Sequence, residues 1–234
     1  MHDRKHPDAF PLWALPLAIT VLFLFAVHLA YALSILGGHV PACVPYWEGC
    51  VSISRAARHG LGNHLFRLLI IPCALLHALV WWLSARWLAH EGRASVAMPL
   101  LGVLSAGALA VYATFLGTEG EVYGFLRRYG VTVYFGFGFL AQLLLMRRAR
   151  WLGRISAGLA QAMGFVCLAM LGLGIGNVVA GLVVDDAIQR DRIENALEWL
   201  LGLLLVGWFA LLAHAWRKEG LALRLLRAPQ RTTQ

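Results

Sequence analysis

Between Gly37 and Arg67 the chain collects most of its chemically versatile side chains in one polar segment. It reads His39-Val-Pro-Ala-Cys43-Val-Pro45-Tyr46-Trp47-Glu48-Gly-Cys50-Val-Ser52-Ile53-Ser54-Arg55, then His59, Gly60, Asn63, His64, Phe66 and Arg67. An arginine fork binds a phosphate through two parallel hydrogen bonds, so Arg67 is the candidate clamp for a phosphate-bearing group. Ser52 and Ser54 would donate hydrogen bonds to the same group. Glu48, Glu121 or Glu198 would orient a hydroxyl or act as a base. Cys43 and Cys50 are close enough in the chain to close a short loop by a disulfide if the segment faces an oxidising space.

These residues need something to hold them, and the composition says what. Of 234 residues, 60% are hydrophobic and 14% charged, against about 25% charged in a soluble domain. Apolar stretches at about 11–36, 68–89, 96–117, 129–146, 157–184 and 196–216 each approach the roughly 20 residues that span the hydrocarbon core as a helix. The expected fold is therefore all-α: a single polytopic bundle of six transmembrane helices over 1–234, with outward loop 1 at about 37–67 and a short basic tail at about 217–234. No separate soluble domain fits between the spans. The formal charge of +8 accordingly does not mark a nucleic-acid-binding module.

The basic residues orient the bundle. Thirteen of the twenty flank the ends that include both termini, with the tight run Arg147, Arg148, Arg150 and Arg154 as the strongest vote. Seven lie on the other side: Arg55, Arg58, Arg67, Arg127, Arg128, Arg190 and Arg192. The positive-inside rule then puts both termini in the cytoplasm and loop 1 outside. With 18 arginines to 2 lysines, the codon usage suggests a GC-rich genome, and a bacterial inner membrane is the expected location. The first apolar run, about 26 residues, exceeds a signal-peptide core and is read as a retained helix. The leucines and arginines after Trp216 are read as an anchor lying on the membrane surface.

The acids are just as asymmetric. Only Asp3, Asp8, Glu91 and Glu219 fall on the cytoplasmic side. Asp191, Glu194 and Glu198 are three and four residues apart and share one helix face. Acids there complement the helix dipole and pair with loop arginines. Glu198 lies about a turn inside the apolar run, where an unpaired carboxylate is costly, so a partner such as Arg67 or a neutral protonated form is expected.

The Pro45-Tyr46 pair, the Ser52 to Ser54 run, Gly60, the Phe66-Arg67 pair and the Glu198-Trp199 pair together resemble the Frag1/DRAM/Sfk1 family, also called the CWH43 N-terminal type. That family includes a GPI-lipid remodelling factor. The resemblance implies a six-helix membrane protein that handles lipid; independently of it, the chemistry of the outward side chains makes Glu48, Ser52, Ser54, Arg67, Glu121 and Glu198 the candidate lipid-headgroup pocket. Family members often carry a histidine in the second outward loop or at the head of the fourth helix, where this chain has Arg127, Arg128 and Tyr129.

Two other classes compete. His28 and His77 lie about 12 to 14 Å from the outer ends of their helices, so they are candidate haem ligands for a redox membrane protein. A structural or regulatory membrane factor with no substrate is the third reading. His39, Cys43, Cys50, His59 and His64 lack the Cys-x-x-Cys pairing of a zinc site. Gly172 and Gly176 read as a small-residue face for close helix packing, and Trp81, Trp82 and Trp87 as an interfacial belt. Cys73 and Cys167 read as small core residues. Whether the chain is an enzyme is left open by its motifs, which include no Gly-x-Ser-x-Gly elbow.

Overall fold

The computed structural model describes residues 9–89 and 96–224. Asp3, Asp8 and Glu91 lie outside the described residues. Apolar sequence in hydrocarbon has one economical way to satisfy its backbone groups, the helix, and the chain follows it. The elements are β1 (Ala9–Pro11), α1 (Ala14–Leu36), α2 (Pro45–Glu48), α3 (Ile53–Ala56), α4 (Gly60–Trp87), α5 (Ala97–Phe115), α6 (Glu121–Trp151), α7 (Ala157–Val183), α8 (Ala187–Lys218) and β2 (Ala222–Arg224). Six of these, α1 and α4 to α8, are long and apolar enough to cross a membrane.

Three helices begin well before the apolar spans: α4 at Gly60, α6 at Glu121 and α8 at Ala187. Hydropathy marks where hydrocarbon begins, but Arg, Glu and Gln are good helix formers, so nothing stops the helix at that level. Loop 1 therefore ends at His59 instead of Arg67. Arg67, Arg127, Arg128, Asp191, Glu194 and Glu198 stand on rigid helices.

Neighbour packing runs α1 on α4, α4 on α5, α5 on α6, α6 on α7, α7 on α8 and α8 back on α1. The resulting ring is filled by Trp81, Trp208, Trp216, Phe66, Phe209 and Ile70, all nearly or fully buried. Cys73 and Cys167 are buried and free, as small core residues are. Of the three expected belt tryptophans only Trp82 is well exposed, at 55%. Trp81 stacks on Trp208 inside the bundle, and Trp87 donates from Nε1 to Glu219 at 3.0 Å. A tryptophan's place in the sequence gives its depth, and only the helix rotation decides which way it faces.

At the terminal end, Glu219 also pairs with Arg154 at 3.5 Å, and Arg217 lies 5.4 Å over the Trp13 ring. Ala9 to Pro11 pairs antiparallel with Ala222 to Arg224, which puts both ends of the described chain on one face of the bundle. The tail thus enters a short strand at Ala222, and its residues 225–234 lie outside the described residues. Leu221, Ala222, Leu223 and Arg224 alternate with a period of two, the pattern of a strand.

The small-residue packing face expected at Gly172 and Gly176 is also corrected. A Cβ built on Gly172, Gly174 or Gly176 would meet nothing within 4 Å. Only Met163, Cys167, Met170 and Ala180 of α7 are buried, so this helix rests lightly on the ring. Close glycine packing occurs instead at Gly102, against the Trp81 ring, and at Gly130, where a Cβ would come 3.2 Å from the Ala108 carbonyl.

Candidate functional site

Loop 1 folds back over the end of the bundle opposite the termini. Cys43 and Cys50 are disulfide-bonded with Cα atoms 6.5 Å apart. Beneath them the Tyr31 hydroxyl donates to the Cys43 carbonyl and accepts from the Cys43 N–H, both at 2.9 Å. Alkylating the unreduced, unfolded protein should count two free thiols, Cys73 and Cys167. Four would mean that the bridge is absent.

Between the cysteines, Pro45 starts α2, and the Glu48 carboxylate accepts from the Val44 N–H at 3.0 Å. Gly49 then turns with φ of +59°, and a Cβ there would run into the backbone of Arg192. Only glycine allows this approach. In α3, Ser52 accepts from the Arg55 N–H at 3.1 Å as an N-cap.

One face of α8 holds this loop down. Arg55 pairs with Asp191. Asn195 donates from Nδ2 to the Gly49 carbonyl at 2.8 Å, and Trp199 donates from Nε1 to the Val51 carbonyl at 2.9 Å. Glu198 accepts from the Ser54 N–H at 3.2 Å. Positions 191, 195 and 199 recur every four residues and 198 follows 195 by three, so one helical stripe supplies four fasteners. The expectation that acids of this stripe pair with loop arginines holds at Asp191.

Beyond Ser54 the surface opens into a cavity of about 550 Å³, lined among others by Ser54, Arg58, Tyr112, Glu121, Arg127 and Arg128. The Ser54 and Tyr112 hydroxyls are 2.9 Å apart, so Glu198, Ser54 and Tyr112 form one hydrogen-bonded chain at its floor. Arg127 is held by the end of α5, donating to the Phe115 carbonyl at 3.2 Å and to the Thr118 carbonyl. Arg58 and Arg128 are exposed. Neither forms a side-chain hydrogen bond or ion pair among the described residues, and both point their charge at a site with one lining acid, Glu121. Next to Arg58, the imidazole of His59 is held below its ordinary pKa by desolvation first, then by His39 and Arg58. The wall is therefore cationic, and an anion fits it.

The sequence-derived set divides here. Ser54 and Glu121 line the cavity, and Glu198 reaches it through Ser54. Ser52 caps α3, and Glu48 lies in a separate groove with Trp47 and Arg192. Arg67 is not paired with Glu198: it donates to the Leu116 carbonyl and to Thr118 Oγ1. Asn63 beside it donates to the carbonyls of Ala57 at 2.9 Å and Leu116 at 3.0 Å. Both residues satisfy carbonyls at the end of α5 that have no intrahelical donor. Arg58, Tyr112, Arg127 and Arg128 were the residues that sequence reasoning did not place in the site. For Arg127 and Arg128 a signal existed, their position where the resembling family often carries histidine.

His28 and His77 stand in separate aromatic clusters. His28 hydrogen-bonds the Leu24 carbonyl at 2.7 Å through Nδ1 and the Tyr46 hydroxyl at 3.0 Å through Nε2. His77 bonds the Cys73 carbonyl at 2.9 Å and packs against Tyr134 and Phe209. Of the loop histidines, His39 and His59 stack with centroids 5.0 Å apart. Among the described residues no cluster of three or more His, Cys, Asp or Glu side chains is set to hold a metal.

Compared with known protein families, curated proteins and solved structures, the chain matches none. The likeness to the Frag1/DRAM/Sfk1 family thus rests on the short motifs within residues 45–67 and at 198–199.

Proposed function

We propose that this chain is a multi-pass inner-membrane protein of the Frag1/DRAM/Sfk1 type that binds or remodels membrane lipid through the cavity beside loop 1. One observation carries the reading. Two arginines with no side-chain partner among the described residues, Arg58 and Arg128, face a cavity floored by hydrogen-bonded Ser54 and Tyr112, at the end of six helices long enough to cross a membrane. Phosphate-bearing headgroups lie at that depth, and guanidinium forks bind them. The floor hydroxyls would hold a second polar group of the same ligand, with Glu198 fixing Ser54 in place.

Native mass spectrometry of the purified chain tests this. The wild type should carry copurified lipid, and Arg58→Gln with Arg128→Gln should lose most of it, while Arg192→Gln in the neighbouring groove should not. Equal lipid on all three proteins would reject the cavity as a headgroup site.

The excess of basic residues at the terminal face supports cytoplasmic termini and an outward cavity. In a background with Cys73 and Cys167 changed to alanine, Glu119→Cys should react with an impermeant thiol reagent in intact cells, and Ser156→Cys should not. The reverse labelling would invert the orientation.

A further inference from the structure

A second cavity of about 440 Å³ lies deeper, between α6, α7 and α8. Its walls are apolar side chains and glycines, among them Phe135, Gly136, Phe139, Gly174, Val178 and Leu201. A Cβ on Gly136 or Gly174 would meet nothing within 4 Å, so these glycines leave the crevice open and do not serve helix packing. The two cavities share α6. Val131 lines the cationic one and Phe135 the apolar one. Arg128, Val131, Phe135 and Phe139 are three, four and four residues apart, so they follow one face of the helix.

The dimensions fit one kind of molecule. Val131 and Phe135 are separated by about 6 Å along the axis at 1.5 Å per residue, a step that a glycerol backbone covers. Arg128 to Phe139 spans about 16 Å, close to half of the roughly 30 Å hydrocarbon thickness and hence to one leaflet. A water-soluble phosphate compound would leave the apolar crevice unused. A neutral lipid would leave two arginines uncompensated.

We infer that the ligand is an anionic glycerophospholipid, with its phosphate between Arg58 and Arg128 and one acyl chain lying in the crevice between α6, α7 and α8. This rests on the headgroup reading above and adds the charge class and the seat of the chain.

The test uses the full-length protein in detergent, titrated with dioleoyl phosphatidylglycerol or dioleoyl phosphatidylcholine and read by native mass spectrometry. The wild type should bind phosphatidylglycerol at least tenfold more tightly. Gly136→Leu with Gly174→Leu should weaken that binding at least tenfold without lowering the melting temperature, because leucine is the better helix former and the space is open. If the pair fails to fold, Gly174→Leu alone carries the same test. Arg58→Gln with Arg128→Gln should abolish the preference between the two lipids. Glycerol 3-phosphate in excess should not displace bound phosphatidylglycerol, and displacement would show a headgroup-only site and overturn the inference. Should the leucine variant bind like wild type while the glutamine variant does not, the crevice assignment falls and the headgroup reading stands. If neither variant weakens binding, both fall. A leucine variant that loses self-association in place of lipid would assign the crevice to a second copy and also overturn the inference.

Discussion

Trp199→Ala should destabilise the protein by about 3–5 kcal/mol, the usual cost of emptying a buried aromatic site, and should strip bound lipid as well. Trp199 is 1% exposed. Its ring packs edge-on against His28, Tyr31 and Tyr46 at centroid distances of 5.5, 5.7 and 5.3 Å, so one side chain joins α1, α2 and α8. Its Nε1 also holds the Val51 carbonyl, three residues before Ser54. Loosening that point frees α3 and disperses the hydroxyl pair at the cavity floor. Trp199→Phe separates the two contributions. It keeps most of the packing and leaves the carbonyl without a donor, a cost of about 1–3 kcal/mol. Denaturation in a fixed detergent measures both. An alanine variant within about 0.5 kcal/mol of wild type, the range of ordinary surface changes, would show that loop 1 is held by other contacts.

The second large effect is expected at Arg67, through a different partner from the one its sequence position suggests. Arg67→Ala should cost about 1–3 kcal/mol or somewhat more, because a half-buried charged donor leaves the carbonyl at the end of α5. A double-mutant cycle identifies the partner. With Glu198→Gln the losses should add, since the two side chains share no hydrogen bond. With Asn63→Ala they should not add, because Asn63 and Arg67 both donate to the Leu116 carbonyl. A coupling of 1 kcal/mol or more between Arg67 and Glu198, on the scale of contacting pairs, would restore the direct ion pair and refute the capping role.

The outcome at Arg67 illustrates what a linear reading of charge near hydrocarbon can do. It found that Glu198 needs a partner, and the Ser54 N–H supplies one. It offered Arg67 as one such partner, on charge alone. Backbone groups were missing from that account: the end of α5 offers carbonyls that attract Arg67, and the Ser54 N–H occupies Glu198. Unpaired backbone groups at helix ends compete with side chains for every nearby charge, and they become visible only once the helices stop at known residues.

The number of membrane-length helices, the helical class, the even count that brings both ends of the described chain to one face, and the polar character of loop 1 all followed from the sequence. Hydrocarbon permits one local backbone solution, and about 20 apolar residues write it in one dimension. The same one-dimensional signal is blind to rotation about a helix axis and to depth offsets of a turn or less. Those decided which tryptophans are core, why the glycines of α7 border open space, and why Arg58 and Arg128, not Arg67, face the cavity with Ser54. A charged side chain reaches several ångströms, so a change of about 100° per residue around a helix is enough to exchange one partner for another.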